Sequence, residues 1–178
     1  MSWRAAEPPV LVRTRTADSL AWMRLDLTIR VLPFGVPGAV VLFAAAALAQ
    51  LVMTRRLRGT VRVPADGEDV ALQGAYFLVN AAAEEAFFRG LVQGALIALA
   101  GPALGLAVAT PAYVLYHRLG GWTWSDVLVT AMVGVPLGLA FWLLPGPPSL
   151  LGVILVHFGA TCGFLGPGPW LLRRLGLL

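Results

Sequence analysis

Long charge-free runs alternate with short polar connectors along this chain. Three runs, 31–54, 90–116 and 127–156, contain no acidic or basic residue. Each equals or exceeds the roughly 20 residues that a helix needs to cross the hydrocarbon core of a membrane. Two shorter runs, 70–83 and 158–172, become long enough once their few polar residues are allowed inside. The pattern predicts an all-α, polytopic membrane bundle of about five transmembrane helices, the last four forming a core.

The polar connectors divide the chain into five segments. Residues 1–31 mix five arginines and three acids with apolar positions, which predicts an interfacial or disordered segment. Residues 32–54 carry no ionisable group, so we expect an accessory transmembrane anchor. Residues 55–69 hold four arginines and form a polar connector. The core follows over 70–166, and 167–178 form a C-terminal tail.

Glycine and proline mark the boundaries of the helices in the core, which we expect over 69–100, 103–118, 123–144 and 150–165. Gly101 and Pro102 end the first of these, because proline cannot continue the hydrogen-bond ladder of a helix. Thr123, followed three residues later by Asp126, is a capping signal for the third.

Glycines also indicate the shape and packing of these helices. The helix over 69–100 would be roughly 45 Å long at 1.5 Å per residue, so we expect tilt or a break at Gly90 and Gly94. Two further pairs four residues apart predict close helix approach in lipid, and these are Gly134 with Gly138 and Gly159 with Gly163.

Composition supports a membrane protein rather than a nucleic-acid-binding one. The hydrophobic fraction is 58%, against 12% charged residues, far from the averages of soluble proteins. All 13 basic residues are arginine, and they lie beside apolar runs where lipid headgroups would meet them. Membrane lipid is therefore the expected partner, and nucleic acid is not. The absence of lysine suggests a GC-rich bacterial source, hence the bacterial inner (plasma) membrane.

Residues 81–94 place Glu84, Glu85 and Arg89 within otherwise apolar sequence. Each charge near a bilayer centre costs roughly 2.5 to 3.5 kcal/mol, so all three need partners, a wet cavity or a function. At about 100° per residue, Asn80 and Glu84 share one stripe of the helix, and Glu85, Arg89 and Gln93 share another. The two acids are therefore expected to face different neighbours.

The spacing predicts different roles for the two acids. Glu85 and Arg89 are four residues apart and can pair on one helix face. Glu84 has no local cation, and a desolvated carboxylate of this kind suits a general base. The alternative is that all three charges form one structural ion network between helices.

The chain has two histidines, His117 and His157, and both lie within apolar helices. Alone, each would most simply be a hydrogen-bonded core imidazole. Because they lie on separate helices beside an acid-rich third, they are expected to converge on one site. Thr161 follows His157 by four residues and can point at the same place.

Three motifs resemble those of the CAAX protease and bacteriocin-processing family of intramembrane proteases, also called CPBP or Abi. Glu84 to Arg89 is similar to its EExxxR motif, Tyr113 to His117 resembles FxxxH, and His157 to Thr161 resembles HxxxN/D. The motifs occur in order on successive helices and cover about 70–165. The resemblance implies that this segment is a catalytic core.

The resemblance further implies an endopeptidase that hydrolyses a peptide or membrane-protein substrate near the membrane surface. Glu84 and His117 would activate a water, and His157 with Thr161 would stabilise the oxyanion. The supporting residues would be Glu85, Arg89, Tyr113 and Asn80. Two positions depart from the family pattern, because Tyr113 replaces phenylalanine and Thr161 replaces asparagine or aspartate. Loss of one oxyanion donor typically lowers turnover about 100- to 1000-fold.

The sequence leaves two questions open. Glu84, His117 and His157 would be the ligands of a zinc ion if the enzyme were a metalloprotease, although a metal-free site without a cofactor is favoured. The chain could also be a non-catalytic membrane partner or immunity protein of the same fold. A proton-coupled transporter is disfavoured, because the chain has no internal repeat.

Overall fold

The computed structural model describes residues 29–58, 61–143 and 150–178, and this part of the chain is helical without any strand. Residues 1–28, most of the expected interfacial segment, lie outside the described residues. The α-helices are α1 (Leu32–Met53), α2 (Gly67–Glu85), α3 (Gly94–Ala100), α4 (Pro102–Tyr116), α5 (Trp124–Leu143), α6 (Leu150–Phe164) and α7 (Pro167–Arg174). Short 3₁₀ turns cover Ile29–Val31 and His117–Gly120, and π-helical turns cover Thr54–Arg58 and Ala86–Gln93.

The expected break at Gly90 and Gly94 is instead a change of helical pitch. The backbone keeps helical torsion angles where α2 passes into the π-helical segment Ala86–Gln93, and again where that segment passes into α3. A π-helix has a wider turn than an α-helix and occurs frequently at functional sites. Together, α2, the π-helical segment and α3 form one continuous helical rod over residues 67–100. The rod ends at Ala100, as predicted, because Gly101 adopts a φ of 88° and Pro102 begins α4.

Side chains cap the N-termini of α2 and α5, and the sequence predicts the cap of α5. The backbone amide of Thr123 donates to Asp126 Oδ2 and that of Asp126 donates to Thr123 Oγ1, both at 3.3 Å. At the start of α2, Asp66 Oδ1 accepts from the amide of Asp69 at 2.9 Å. These bonds satisfy amides that the first turn of a helix leaves without a partner.

Helix α1 packs directly against α6. Adding a Cβ atom to Gly159 would drive it into the backbone of Ala39, and the same change at Gly163 would strike the backbone of Phe43. The predicted glycine pair thus allows two helices to touch backbone to backbone. Although the sequence suggests only an anchoring role for α1, this helix supports the element that carries His157.

The second glycine pair brings α5 against α4. A Cβ on Gly134 would lie 2.9 Å from the ring of Tyr113, and one on Gly138 would lie 2.6 Å from Leu106. A separate apolar core joins α5 to α6, and its buried members are Leu137, Phe141, Leu150, Val153 and Ile154. Helices α4, α5 and α6 are therefore fixed relative to one another around Tyr113.

Length and hydropathy identify two or three membrane-crossing elements among the described helices, not the five expected. Residues Leu32–Leu57 and Trp124–Leu143 qualify alone, and α6 with α7 qualifies as one span bent by 46°. Helix α4 has 15 residues, and α2 is interrupted by polar side chains. The chain is an integral membrane protein.

Candidate active site

The second stripe of the 67–100 rod is completely buried. Glu85, Arg89 and Gln93 have no exposed side-chain surface. Arg89 Nε lies 3.5 Å from Glu85 Oε2, which confirms the predicted pairing of residues four apart. Burial of both charges removes the screening that weakens most surface ion pairs. The pair is therefore a structural part of the protein interior.

Two long side chains of the π-helical segment reach the backbone of α5. Arg89 Nη2 donates to the carbonyl oxygen of Gly134 at 3.2 Å, and Gln93 Nε2 donates to that of Gly138 at 2.9 Å. Both acceptors belong to glycines, which leave the carbonyl groups open to a neighbouring helix. The guanidinium of Arg89 also lies 4.6 Å from the centre of the Tyr113 ring, within cation–π range.

Glu85 holds the imidazole of His157. Glu85 Oε1 lies 2.8 Å from His157 Nδ1, and a carboxylate oxygen accepts here from the ring N–H. In a neutral imidazole only one nitrogen carries a proton, so this bond leaves Nε2 unprotonated. The spacing within α2 gave no signal for this contact, because the partner is 72 positions away in the chain.

Glu84 approaches the other nitrogen of the same imidazole. Its Oε2 atom lies 3.7 Å from His157 Nε2, while Oε1 accepts a hydrogen bond from Asn80 Nδ2 at 2.9 Å. Within the described chain, Oε2 is buried and accepts no hydrogen bond. As expected, the two acids have different partners on their own helix, Asn80 and Arg89, but they also approach different nitrogens of one imidazole. Glu84 Oε2 remains able to accept a proton.

His117 is fixed by its own helix. Its Nδ1 atom lies 2.9 Å from the carbonyl oxygen of Tyr113. A carbonyl oxygen can only accept, so Nδ1 carries a proton, and in a neutral imidazole Nε2 then carries none. The imidazole packs edge-on against the rings of Tyr113 and Trp122, each at a centroid distance of 4.9 Å. No hydrogen bond or ion pair joins it to Glu84 in the described part of the chain.

Tyr113 contacts both histidines. The centre of its ring lies 4.9 Å from that of His117 and 5.6 Å from that of His157. Its hydroxyl lies 3.2 Å from His157 Nε2. The family that the sequence resembles has phenylalanine at this position. The additional hydroxyl of Tyr113 thus has a hydrogen-bond partner, His157, within the predicted site.

One cavity of about 580 Å³ contains most of the predicted site residues in its lining, and these are Asn80, Glu84, Tyr113, His117, His157 and Thr161. Glu85 and Arg89 lie behind it. Sequence reasoning missed Trp122, Thr130, Phe164 and Ala46, which also line the cavity. These residues come from separate elements and follow no common spacing, so no sequence pattern could have grouped them. Ala46 brings α1 into the lining.

The side chains proposed as zinc ligands do not form a metal site. Over residues 29–58, 61–143 and 150–178, no three His, Cys, Asp or Glu side chains are grouped closely enough to hold a metal ion. Both nitrogens of His157 also have protein partners, Glu85 and Tyr113. The set Glu84, His117 and His157 therefore does not fit a resident zinc ion.

Comparison with protein families gives a match that covers the predicted site. The family model described as type II CAAX prenyl endopeptidase Rce1-like matches residues 67–162, just over half of the chain. The matched stretch begins at the first residue of α2, ends within α6 and contains every residue predicted for the site. No curated protein and no solved structure matches the chain. Helix α1 lies outside the matched stretch.

Proposed function

The chain belongs to the Rce1-like family of type II CAAX prenyl endopeptidases, and we propose that it is an intramembrane endopeptidase that hydrolyses a peptide bond near the membrane surface. One observation carries the proposal: Glu84, whose Oε2 atom accepts no hydrogen bond from the described chain, lines the same cavity as two imidazoles. A buried carboxylate with a free acceptor atom is a suitable general base.

Glu84 and His117 would activate the water. Glu84 Oε2 takes a proton as the water oxygen forms a bond to the peptide carbonyl carbon, which gives a tetrahedral oxyanion. His117 Nε2, unprotonated when the ring is neutral, is the second acceptor on the cavity for the hydrogens of that water. The C–N bond then breaks, and the proton held by Glu84 passes to the departing amine. Atoms and charge balance without a co-reactant.

His157 and Thr161 would stabilise the oxyanion. Both line the cavity one helical turn apart on α6. Glu85 holds the imidazole through Nδ1, so the ring presents its Nε2 edge to the substrate and would donate to the oxyanion only when Nε2 is also protonated. A group already oriented before the reaction stabilises developing charge without reorganisation during the step. Arg89 then fixes Glu85, and Asn80 fixes Glu84.

We propose that the site works without a metal and that the protein resides in a bacterial inner membrane. The contacts at both nitrogens of His157 support the metal-free mechanism, since a ligand nitrogen needs a free lone pair. The arginine-only set of basic residues supports the bacterial source.

The test is proteolysis by the purified full-length protein in liposomes. The probes are a farnesylated peptide ending in a CAAX sequence, the same peptide without the lipid, and a mixture of unmodified peptides. New termini are identified by mass spectrometry. Cleavage by the wild type that is lost in Glu84→Gln and His117→Ala is the expected result. Glu68→Gln is the matched control, since Glu68 is an exposed acid in the first turn of α2.

Full cleavage by Glu84→Gln would refute the proposed role of Glu84. Absence of cleavage of every probe by the wild type would instead favour a non-catalytic membrane partner of the same fold. That second function would also predict that the biological effect of the protein is unchanged in Glu84→Gln.

A further inference from the structure

The hydroxyl of Tyr113 is a neutral donor that contacts the imidazole of His157. The residue is only 2% exposed, and its ring contacts the guanidinium of Arg89, 4.6 Å from the ring centre, and the rings of both histidines. The hydroxyl itself lies 3.2 Å from His157 Nε2, the nitrogen that Glu84 Oε2 approaches to 3.7 Å. The phenol is therefore fixed beside a nitrogen that Glu84 also approaches.

The hydrogen-bonding pattern of His157 decides which group donates at this place. Nδ1–H donates to Glu85, so a neutral imidazole has only a lone pair at Nε2. In that state His157 accepts from the Tyr113 hydroxyl and has no N–H to offer a substrate. Thr161 adds only a short hydroxyl. Among the cavity groups next to Nε2, the Tyr113 O–H is therefore the donor that needs no extra proton.

We propose that Tyr113 is a further catalytic residue, which donates the hydrogen bond that stabilises the oxyanion in place of an amide at position 161. This inference rests on the proposed function. The hydroxyl hydrogen turns about the Cζ–Oη bond, from His157 Nε2 to the substrate oxygen, as negative charge develops there. The proton stays on Tyr113 throughout, so the step adds no ion to the buried site. The hydroxyl gained at position 113 thereby compensates for the amide that is missing at position 161, and the two departures from the family pattern belong together.

The experiment is a double-mutant cycle of Tyr113→Phe and Thr161→Asn in the full-length protein in liposomes, with the cleaved peptide identified above as the substrate. Tyr113→Phe keeps the ring over Arg89 and removes only the hydroxyl. It should lower kcat about 100- to 1000-fold, the usual effect of losing one oxyanion donor, with KM changed less than about threefold. Thr161→Asn in the Tyr113→Phe background should recover at least about tenfold of the lost kcat. In the wild-type background it should change kcat much less.

Each result separates the two proposals. If the wild type cleaves and Tyr113→Phe has the wild-type kcat, the role of Tyr113 is overturned while the protease function stands. If Tyr113→Phe is slow but Thr161→Asn restores nothing, Tyr113 only positions His157, and the compensation is also overturned. If the wild type cleaves no probe, both proposals fall. Thermal unfolding of each variant in detergent shows whether a slow enzyme is a folded one.

Discussion

Glu85 Oε1 lies 2.8 Å from His157 Nδ1, and this contact joins α2 to α6 directly behind the cavity. Glu85 also pairs with Arg89, so a single buried carboxylate connects a guanidinium that is bonded to α5 with an imidazole that lines the site. The consecutive acids therefore have complementary tasks. Glu85 orients the imidazole, and under the proposed mechanism Glu84 keeps an oxygen free for the substrate water.

Replacing Glu85 by glutamine should reduce both stability and turnover. The neutral amide leaves the charge of Arg89 without its partner, and removal of one member of a buried pair costs about 3–5 kcal/mol. The amide can also hold His157 in the wrong tautomer, an effect that lowers kcat by up to about 10⁴-fold in a comparable hydrogen-bonded pair. Chemical unfolding in detergent and peptide cleavage measure the two effects. Unchanged values for both would show that the contact is not needed.

Arg89→Lys should be harmful although it keeps the charge. The guanidinium contacts Glu85, the Gly134 carbonyl and the Tyr113 ring together, and an ammonium group cannot reproduce this planar arrangement. We expect a loss of about 1–3 kcal/mol of stability, the usual cost of leaving a buried polar group without its partner. Arg56→Lys, at an exposed position, is the control and should be neutral. Equal stability of the two variants would contradict the structural role of Arg89.

A methyl group at Gly159 should separate α1 from α6. The added Cβ would overlap the backbone of Ala39, and backbone atoms within a helix cannot move aside locally. We expect Gly159→Ala to cost about 3 kcal/mol or more, at or above the upper end of overpacking effects. Gly74→Ala on α2 is the matched control, because no other group lies within 4 Å of its new Cβ. Comparable unfolding curves for both variants would show that α1 is a dispensable anchor.

Chelation should leave cleavage unchanged. Because both nitrogens of His157 already have protein partners, the proposed mechanism has no resident ion for 1,10-phenanthroline to remove. The measurements are the cleavage rate with and without the chelator and the metal content of the active protein. Loss of activity that is restored by added zinc would overturn the metal-free mechanism.

The sequence was sufficient for several features that arise within one helix. Apolar runs gave the all-α membrane class, glycine and proline gave the end of the long rod at Ala100, and a spacing of four gave the Glu85–Arg89 pair. Glycine pairs also predicted the close helix contacts at Gly134 and Gly159. These features depend on the periodicity of one helix, which a linear pattern records.

The contacts of His157 were decided by the tertiary structure. Its partners Glu85 and Tyr113 lie 72 and 44 positions away, and no periodic spacing relates residues on separate helices. The pitch change over Ala86–Gln93 was equally hidden, since its residues do not differ in type from those of an α-helix. The chain by itself determined which side chains are too polar for lipid. Only the packing of α1, α4 and α5 around α2 and α6 determined which of these polar side chains contact one another. Buried polar groups generally need a hydrogen-bond partner, but burial alone does not determine which residue that partner is.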